Sequence, residues 1–383
     1  MSLRYTGAWL QDGAFNPLTA PTGTPIYQPY LYSWGKNNLG QLGLGNTTYS
    51  FSSPQQVGAL TNWLNAVGGY SHTIAIKTDG TLWSWGGGRF GALGLGNTTN
   101  YSSPMQIGAL TNWSQIACGT YHNAAVKTDG TLWSWGYNNN GQLGLGNTTY
   151  YSSPKQIGSL TTWLRVACGS YTTLAIKTNG QLYAWGFNST GQLGLGNKTS
   201  YSSPKQIGSL TTWLYIAASC YSSFATKTDG TIWSWGSNSF GQLGLNNTTA
   251  YSSPMQIGAL TNWGKISAGS LASSVIAVGS IKTDGTLWTW GFNGYGTLGY
   301  GNTTYYSSPK QVGALTTWAL LGAGGRSFYA TRTDKTLWAW GLNNLGQLGT
   351  GSTTSYSSPK QVGALTNWLT PSGGITMGLC TQY

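Results

Sequence analysis

The chain has 383 residues, of which only 6% are charged and none is Glu, so its net charge of +12 reflects missing acids more than clustered bases. Hydrophobic residues at 39% and aromatics at 14% supply a core and exclude a disordered chain, which would be poor in both. No apolar run approaches the ~20 residues that cross a membrane as a helix, and so few ionisable groups leave little with which to build acid–base catalysis.

Residues 1–30 hold Pro17, Pro21, Pro25 and Pro29 among Trp9, Leu10, Phe15, Ile26 and Tyr27. Proline at this density excludes helix and favours an extended arm. Its apolar residues need cover, along their own domain or on a neighbouring subunit, and Trp9, Phe15 and Tyr27 are its candidate docking residues. The start, Met1-Ser2-Leu3-Arg4, lacks the apolar stretch of a secretory signal.

From Leu31 onward a Trp-Gly pair recurs at Trp34, Trp85, Trp135, Trp185, Trp235, Trp290 and Trp340. A fixed period of this size marks a repeat architecture. In the unit from Trp113 to Ile157, Trp113–Cys118 is an apolar run that suits a buried strand. Asn123–Lys127 predicts a second strand, and Thr128-Asp129-Gly130 a hairpin turn into a third, Thr131–Trp135. A long glycine-rich loop over Gly141–Thr149 leads to a short outer strand that proline opens, Pro154–Ile157.

Four short antiparallel strands, repeated in seven units, predict an all-β fold, a seven-bladed β-propeller of four-stranded blades. The chain ends exclude a linear solenoid. Leu31–Val57 supplies the third and fourth strands of a unit, and Trp368–Tyr383 the first and second. Two N-terminal plus two C-terminal strands would therefore close the ring, which makes 31–383 the propeller domain. A tryptophan at each repeat position reads as packing between adjacent blades. The cysteines Cys118, Cys168, Cys220 and Cys380 read as small buried hydrophobes rather than as a disulfide or metal framework.

The candidate chemistry is sparse. Five of the six carboxylates, Asp79, Asp129, Asp229, Asp284 and Asp334, fall in the hairpin turn, where Asp bonds its own backbone. They would lie one per blade, too far apart to share a proton. His72 and His122 occupy one repeat position in two neighbouring units and read as polar side chains of the loop after the first strand. Neither an enzyme nor a cofactor or metal site is expected. Lys77, Lys127, Lys177, Lys227 and Lys282 enter the turns, a dispersed basic ring that disfavours nucleic acid as the partner.

The long loop is the strongest binding candidate. Its tip leads with Asn97, Asn147, Asn197, Asn247 and Asn302. Tyr101, Tyr151, Tyr201, Tyr251, Tyr306 and Tyr356 follow. Tyr, Ser, Asn and Gly in uncharged loops have the composition of adaptable binding surfaces; the alternative is that these residues cap and pack one another. One unit carries five extra residues within Ser270–Ser280, where Leu271 and Val275 are candidate docking residues.

The unit Trp-Gly-x-Asn-x-x-Gly-Gln-Leu-Gly-Leu-Gly, then a proline strand and a Lys-Thr-Asp-Gly turn, resembles the regulator of chromosome condensation repeat; Gly141–Gly146 and Gly191–Gly196 carry it. The resemblance covers 31–383 and implies a seven-bladed propeller with strand-exchange closure. It also implies protein binding through the propeller faces. The Gly-Trp-Arg-His-Thr element of the family's plant photoreceptor is replaced here by Gly69-Tyr70-Ser71-His72-Thr73 and Gly119-Thr120-Tyr121-His122-Asn123, and residues 1–30 lack the basic tail of its chromatin-bound member.

Near-identical repeats, a neutral surface and the apolar arm lead us to expect a non-enzymatic structural or adhesion protein, such as a virion tail, fibre or capsid decoration. It would sit at a virion or cell surface and act through the loop face and the arm. The alternative is a cytoplasmic regulatory propeller that binds a single protein partner, and the third reading is lectin-like glycan binding.

Overall fold

The computed structural model describes residues 29–269 and 276–383. Trp9, Phe15, Tyr27, Leu271 and Val275 lie outside them. The described residues form seven four-stranded antiparallel sheets, each a blade with strands A to D from the centre outward. In blade 2 these are Trp113–Cys118, His122–Lys127, Leu132–Gly136 and Tyr151–Gln156. Blades 1 to 6 begin at Trp63, Trp113, Trp163, Trp213, Trp263 and Trp318.

Blade 7 is built as the chain ends require. Trp368–Gly373 and Met377–Gln382 are its strands A and B, and Tyr30–Lys36 and Ser50–Gln56 its strands C and D. The two ends pair with Leu31 opposite Thr381 and Trp34 opposite Gly378. Neighbouring inner strands touch all the way round, including blade 7 with blade 1. The outer strand departs from its expected start. In blade 2 it begins at Tyr151, so Pro154 lies inside it, and its register with strand C slips between Tyr151 and Lys155. An outermost strand turns one set of N–H groups to solvent, and a bulge frees another, so proline fits there.

The blades are joined by a repeated contact. Each tryptophan of a Trp-Gly pair is fully buried. Its Nε1 donates to a main-chain carbonyl in the long loop of the preceding blade. Trp185 meets Gln142 at 2.9 Å and Trp235 meets Gln192 at 2.9 Å. Trp34 meets Gln347 at 2.8 Å across the closure. Trp-Gly of one unit and Gln-Leu-Gly of the unit before it are thus two halves of one joint. The core is divided into wedges to match. Between blades 3 and 4, Leu174, Ile176 and Leu182 pack against Trp213, Ala225 and Trp235. Burying an indole contributes up to about 5 kcal/mol at ~25 cal/mol per Å².

Candidate functional site

Strand order gives the ring two different ends. The A–B loops and the long C–D loops share one; the B–C turns and D–A linkers share the other. At the turn end every described carboxylate side chain is already engaged. Asp129 Oδ1 accepts from Thr131 Oγ1 at 2.7 Å and from its amide at 2.9 Å, and Thr131 Oγ1 accepts from Trp133 Nε1 at 2.9 Å. The threonine hydroxyls, then the amides, hold the carboxyls of Asp129, Asp229 and Asp284 below the usual carboxylate range. The lysines are engaged too: Lys127 Nζ lies 3.9 Å from the centre of the Trp133 ring and 4.8 Å from that of Trp113. Burial against these rings lowers the pKa of Lys77, Lys127, Lys227 and Lys282. The expected basic ring is thus mostly a set of cation–π contacts inside the blades.

At the loop end, the tip residues first serve their own loop. The Oδ1 atoms of Asn97, Asn147, Asn197, Asn247 and Asn302 accept from the amide two residues on, at 2.9–3.0 Å. Asn97, Asn147, Asn197 and Asn247 also donate through Nδ2 to the hydroxyls of Tyr101, Tyr151, Tyr201 and Tyr251, at 3.2–3.4 Å. The rings of Tyr201, Tyr251, Tyr306 and Tyr356 lean on the wedge cores. Sequence reasoning left one asparagine of the repeat without a role. Asn138 is fully buried; its Oδ1 accepts from Leu143 N at 2.9 Å and its Nδ2 donates to the carbonyls of Asn147 and Thr149 at 3.0 Å. It staples the loop shut, and its signal was its fixed place two residues after Trp-Gly.

The histidines are not loop residues. Each opens strand B and is fully buried between blades. His72 Nε2 faces Asn123 Oδ1 at 2.8 Å and His122 Nε2 faces Thr173 Oγ1 at 3.1 Å. Burial lowers the pKa of His72 to about 4; burial and then the nearby His72 lower that of His122 to about 3. The cysteines are unpaired, and burial raises Cys168 to about 12 and Cys220 to about 11. Among the described residues no group of three or more His, Cys, Asp or Glu could hold a metal ion. Among the described residues no helix is long and apolar enough to cross a membrane. The inner strands surround a central channel of 1290 Å³ and end on small residues such as Gly68, Ala218 and Ala323, which lets seven strands converge.

What remains at the loop end is aromatic. Tyr70 and Tyr121, on the A–B loops of blades 1 and 2, lie 5.5 Å apart between ring centres. Phe90, on the C–D loop of blade 1, meets Tyr121 at 5.3 Å, Tyr137 at 4.8 Å and Tyr150 at 5.4 Å. Tyr137, Tyr171, Phe187 and Tyr221 continue the contacts at 6.1–6.3 Å into blade 4. A second group joins Phe240, Phe292, Tyr295 and Tyr305 across blades 4 and 5. Tyr70 is 41% and Tyr295 36% exposed. A patch of touching, partly exposed rings marks an interaction surface, where a scatter of single ones would not.

The repeat model described as "Regulator of chromosome condensation (RCC1) repeat" matches residues 30–76, 79–126, 129–176, 179–226, 229–276, 284–328 and 334–376. The chain belongs to this family. It is similar to the ultraviolet-B receptor UVR8 of Arabidopsis thaliana, 44% identical over 72 residues, which is 18% of this chain and 16% of that protein. It is likewise similar to the protein RCC2 of Mus musculus, 39% identical over 72 residues, 18% of this chain and 14% of that protein. These matches span only a small part of the relatives' length. In fold it is similar to Prp20p of Saccharomyces cerevisiae, with a TM-score of 0.83 and 20% identity, over 93% of this chain and 92% of that one.

Membership of the RCC1 repeat family corrects the leading functional expectation. These relatives are a light receptor, RCC2 proteins and a yeast propeller described with protein partners, not virion or adhesion components. They give no support to a virion, adhesion or glycan partner, and the coarser expectation of protein binding stands. Near-identical repeats pointed to a particle, but the joints and staples that recur around the ring account for them.

Proposed function

We propose that this RCC1 repeat propeller is a non-catalytic regulatory protein that binds a single protein partner through the end bearing its A–B and C–D loops. The observation that carries the reading is the aromatic arc from Tyr70 to Tyr221, on an end whose other polar groups mostly serve the loops themselves. Yeast Prp20p, of the same fold, is described with binding to Gsp1p and histones, which supports a protein as the partner class. The loop-tip residues Asn97 to Tyr356 frame this end, and the arm, residues 1–30, would add contacts of its own. Affinity capture on the immobilised chain, quantified by mass spectrometry, tests this. One protein should be retained near stoichiometry and lost with Tyr137→Glu, while Lys155→Gln on the outer strand keeps it. Equal enrichment on the wild-type and Tyr137→Glu chains would sink the reading.

A further inference from the structure

Resting on that reading, we infer that the arc and the second aromatic group together accept an acidic, extended segment of the partner, held by Arg89 at one and Arg326 at the other. Blade 1 breaks the repeat where the arc is densest. The buried asparagine that staples the C–D loop in the other six blades is Gly88 here, followed by Arg89 and Phe90. The loop lacks the staple's side-chain bonds and keeps a main-chain tie that blades 3 and 6 also make, Gly88 N donating to Asn100 Oδ1 at 2.9 Å. Phe90 takes a φ of 59°, a left-handed conformation that costs a bulky residue about 1–2 kcal/mol. Such strain persists where it places a side chain for use. It sets Phe90 among Tyr121, Tyr137 and Tyr150, and the exposed Arg89 guanidinium lies 4.5 Å from the Phe90 ring centre and 5.6 Å from that of Tyr121.

Arg326 repeats the arrangement at the far group. It holds the A–B loop position that is Tyr121, Tyr171 and Tyr221 in blades 2 to 4. Its guanidinium lies 4.8 Å from the Tyr295 ring centre, and its Nη1 donates to the Tyr295 hydroxyl at 3.0 Å. Both ends carry bases, Lys77 to Lys282 at the turns among them, but carboxylates separate the two ends of the ring. All five described Asp residues lie in B–C turns, whereas the loop end carries Lys36, Arg89, Lys198 and Arg326 and no carboxylate side chain among the described residues. A guanidinium laid on a ring keeps its outer edge for a carboxylate, which it binds in two-point fashion. The rings between the two arginines suit apolar or aromatic side chains of the same segment. Four bases scattered over a whole face do not track a phosphate backbone, which carries one charge per nucleotide.

Fluorescence anisotropy of the full chain with a labelled Glu/Tyr copolymer peptide, its Gln/Tyr counterpart and an oligothymidylate decides the matter. The acidic peptide should bind in a salt-sensitive manner and about tenfold more tightly than the other two. Arg89→Gln and Arg326→Gln should each weaken it about tenfold, and Lys155→Gln should leave it unchanged. Phe90→Gly removes the ring and relieves the backbone, so it should lose binding while the urea midpoint holds or rises. Equal binding of the Gln/Tyr peptide, tighter binding of the oligothymidylate, no binding of the acidic peptide, or arginine variants that bind like wild type would each overturn the inference. If the captured partner stays on Arg89→Gln and Arg326→Gln but is lost with Tyr137→Glu, the acidic segment is wrong and the protein-binding reading stands.

Discussion

At the scale of single residues, the buried polar groups are arranged as relays that end on one carbonyl per joint. Thr173 Oγ1 and Trp185 Nε1 both donate to the Gln142 carbonyl, at 2.8 and 2.9 Å, and His122 Nε2 lies 3.1 Å from Thr173 Oγ1. A carbonyl has two lone pairs, and here both are used. The histidines at the start of two relays make stability depend on pH. Their folded pKa values, about 4 and about 3, lie below the unfolded value near 6.5. Below pH 6.5 the unfolded chain therefore binds more protons than the folded one, so stability falls as pH drops toward 4. Each histidine should cost about 2 kcal/mol between pH 6.5 and 4.5. Urea unfolding of the wild type and of a His72→Thr, His122→Thr double variant across this window measures it, since Thr172 fills the same place in blade 3. Identical pH slopes in the two proteins would disprove the assignment.

At the scale of elements, the long loop is a rigid connector rather than a free tip, and two glycines, one in it and one in the following D–A linker, separate the reasons. Gly144 has a φ of 72°, and a Cβ there would meet Trp185 Nε1 at 2.6 Å; Gly158 has a φ of 59° with nothing within 4 Å. Gly158→Ala should cost about 1 kcal/mol, the left-handed penalty alone. Gly144→Ala also displaces the indole from its joint and should cost about 3 kcal/mol. Urea midpoints give both values, and equal costs would mean that the joint is softer than its geometry. Strand positions were legible in the sequence because alternation and the Asp-Gly turn are local. The start of the outer strand, its bulge and the place of the histidines were not, since edge exposure and blade contacts decide them. Proline marked the right strand but lies inside it rather than at its start.

At the scale of the whole molecule, the ring holds by closure. Leu379 belongs to the wedge between blades 7 and 1, and Cys380 and Trp368 to the wedge between blades 6 and 7. Removing residues 368–383 opens both wedges and leaves Tyr30–Lys36 as an unpaired edge, which invites association. The truncated chain should lose its single cooperative thermal transition and aggregate. A melt followed by circular dichroism that stays within a few degrees of the full chain would show that closure matters less than the joints.

The number of blades, the four strands of each and the division of blade 7 between the chain ends were determined by the sequence alone. Each follows from a period, and a period is a property of the covalent chain. The loop-tip Asn and Tyr pairs were also visible there, being four residues apart. Tertiary structure alone decided that Trp185 meets Gln142, that Phe90 touches Tyr121, Tyr137 and Tyr150, and that Arg89 and Arg326 share an end free of described carboxylate side chains. The first two join adjacent blades across tens of residues, and the two arginines belong to blades 1 and 6. Their geometry comes from the curvature of the closed ring, which no local pattern of residues encodes.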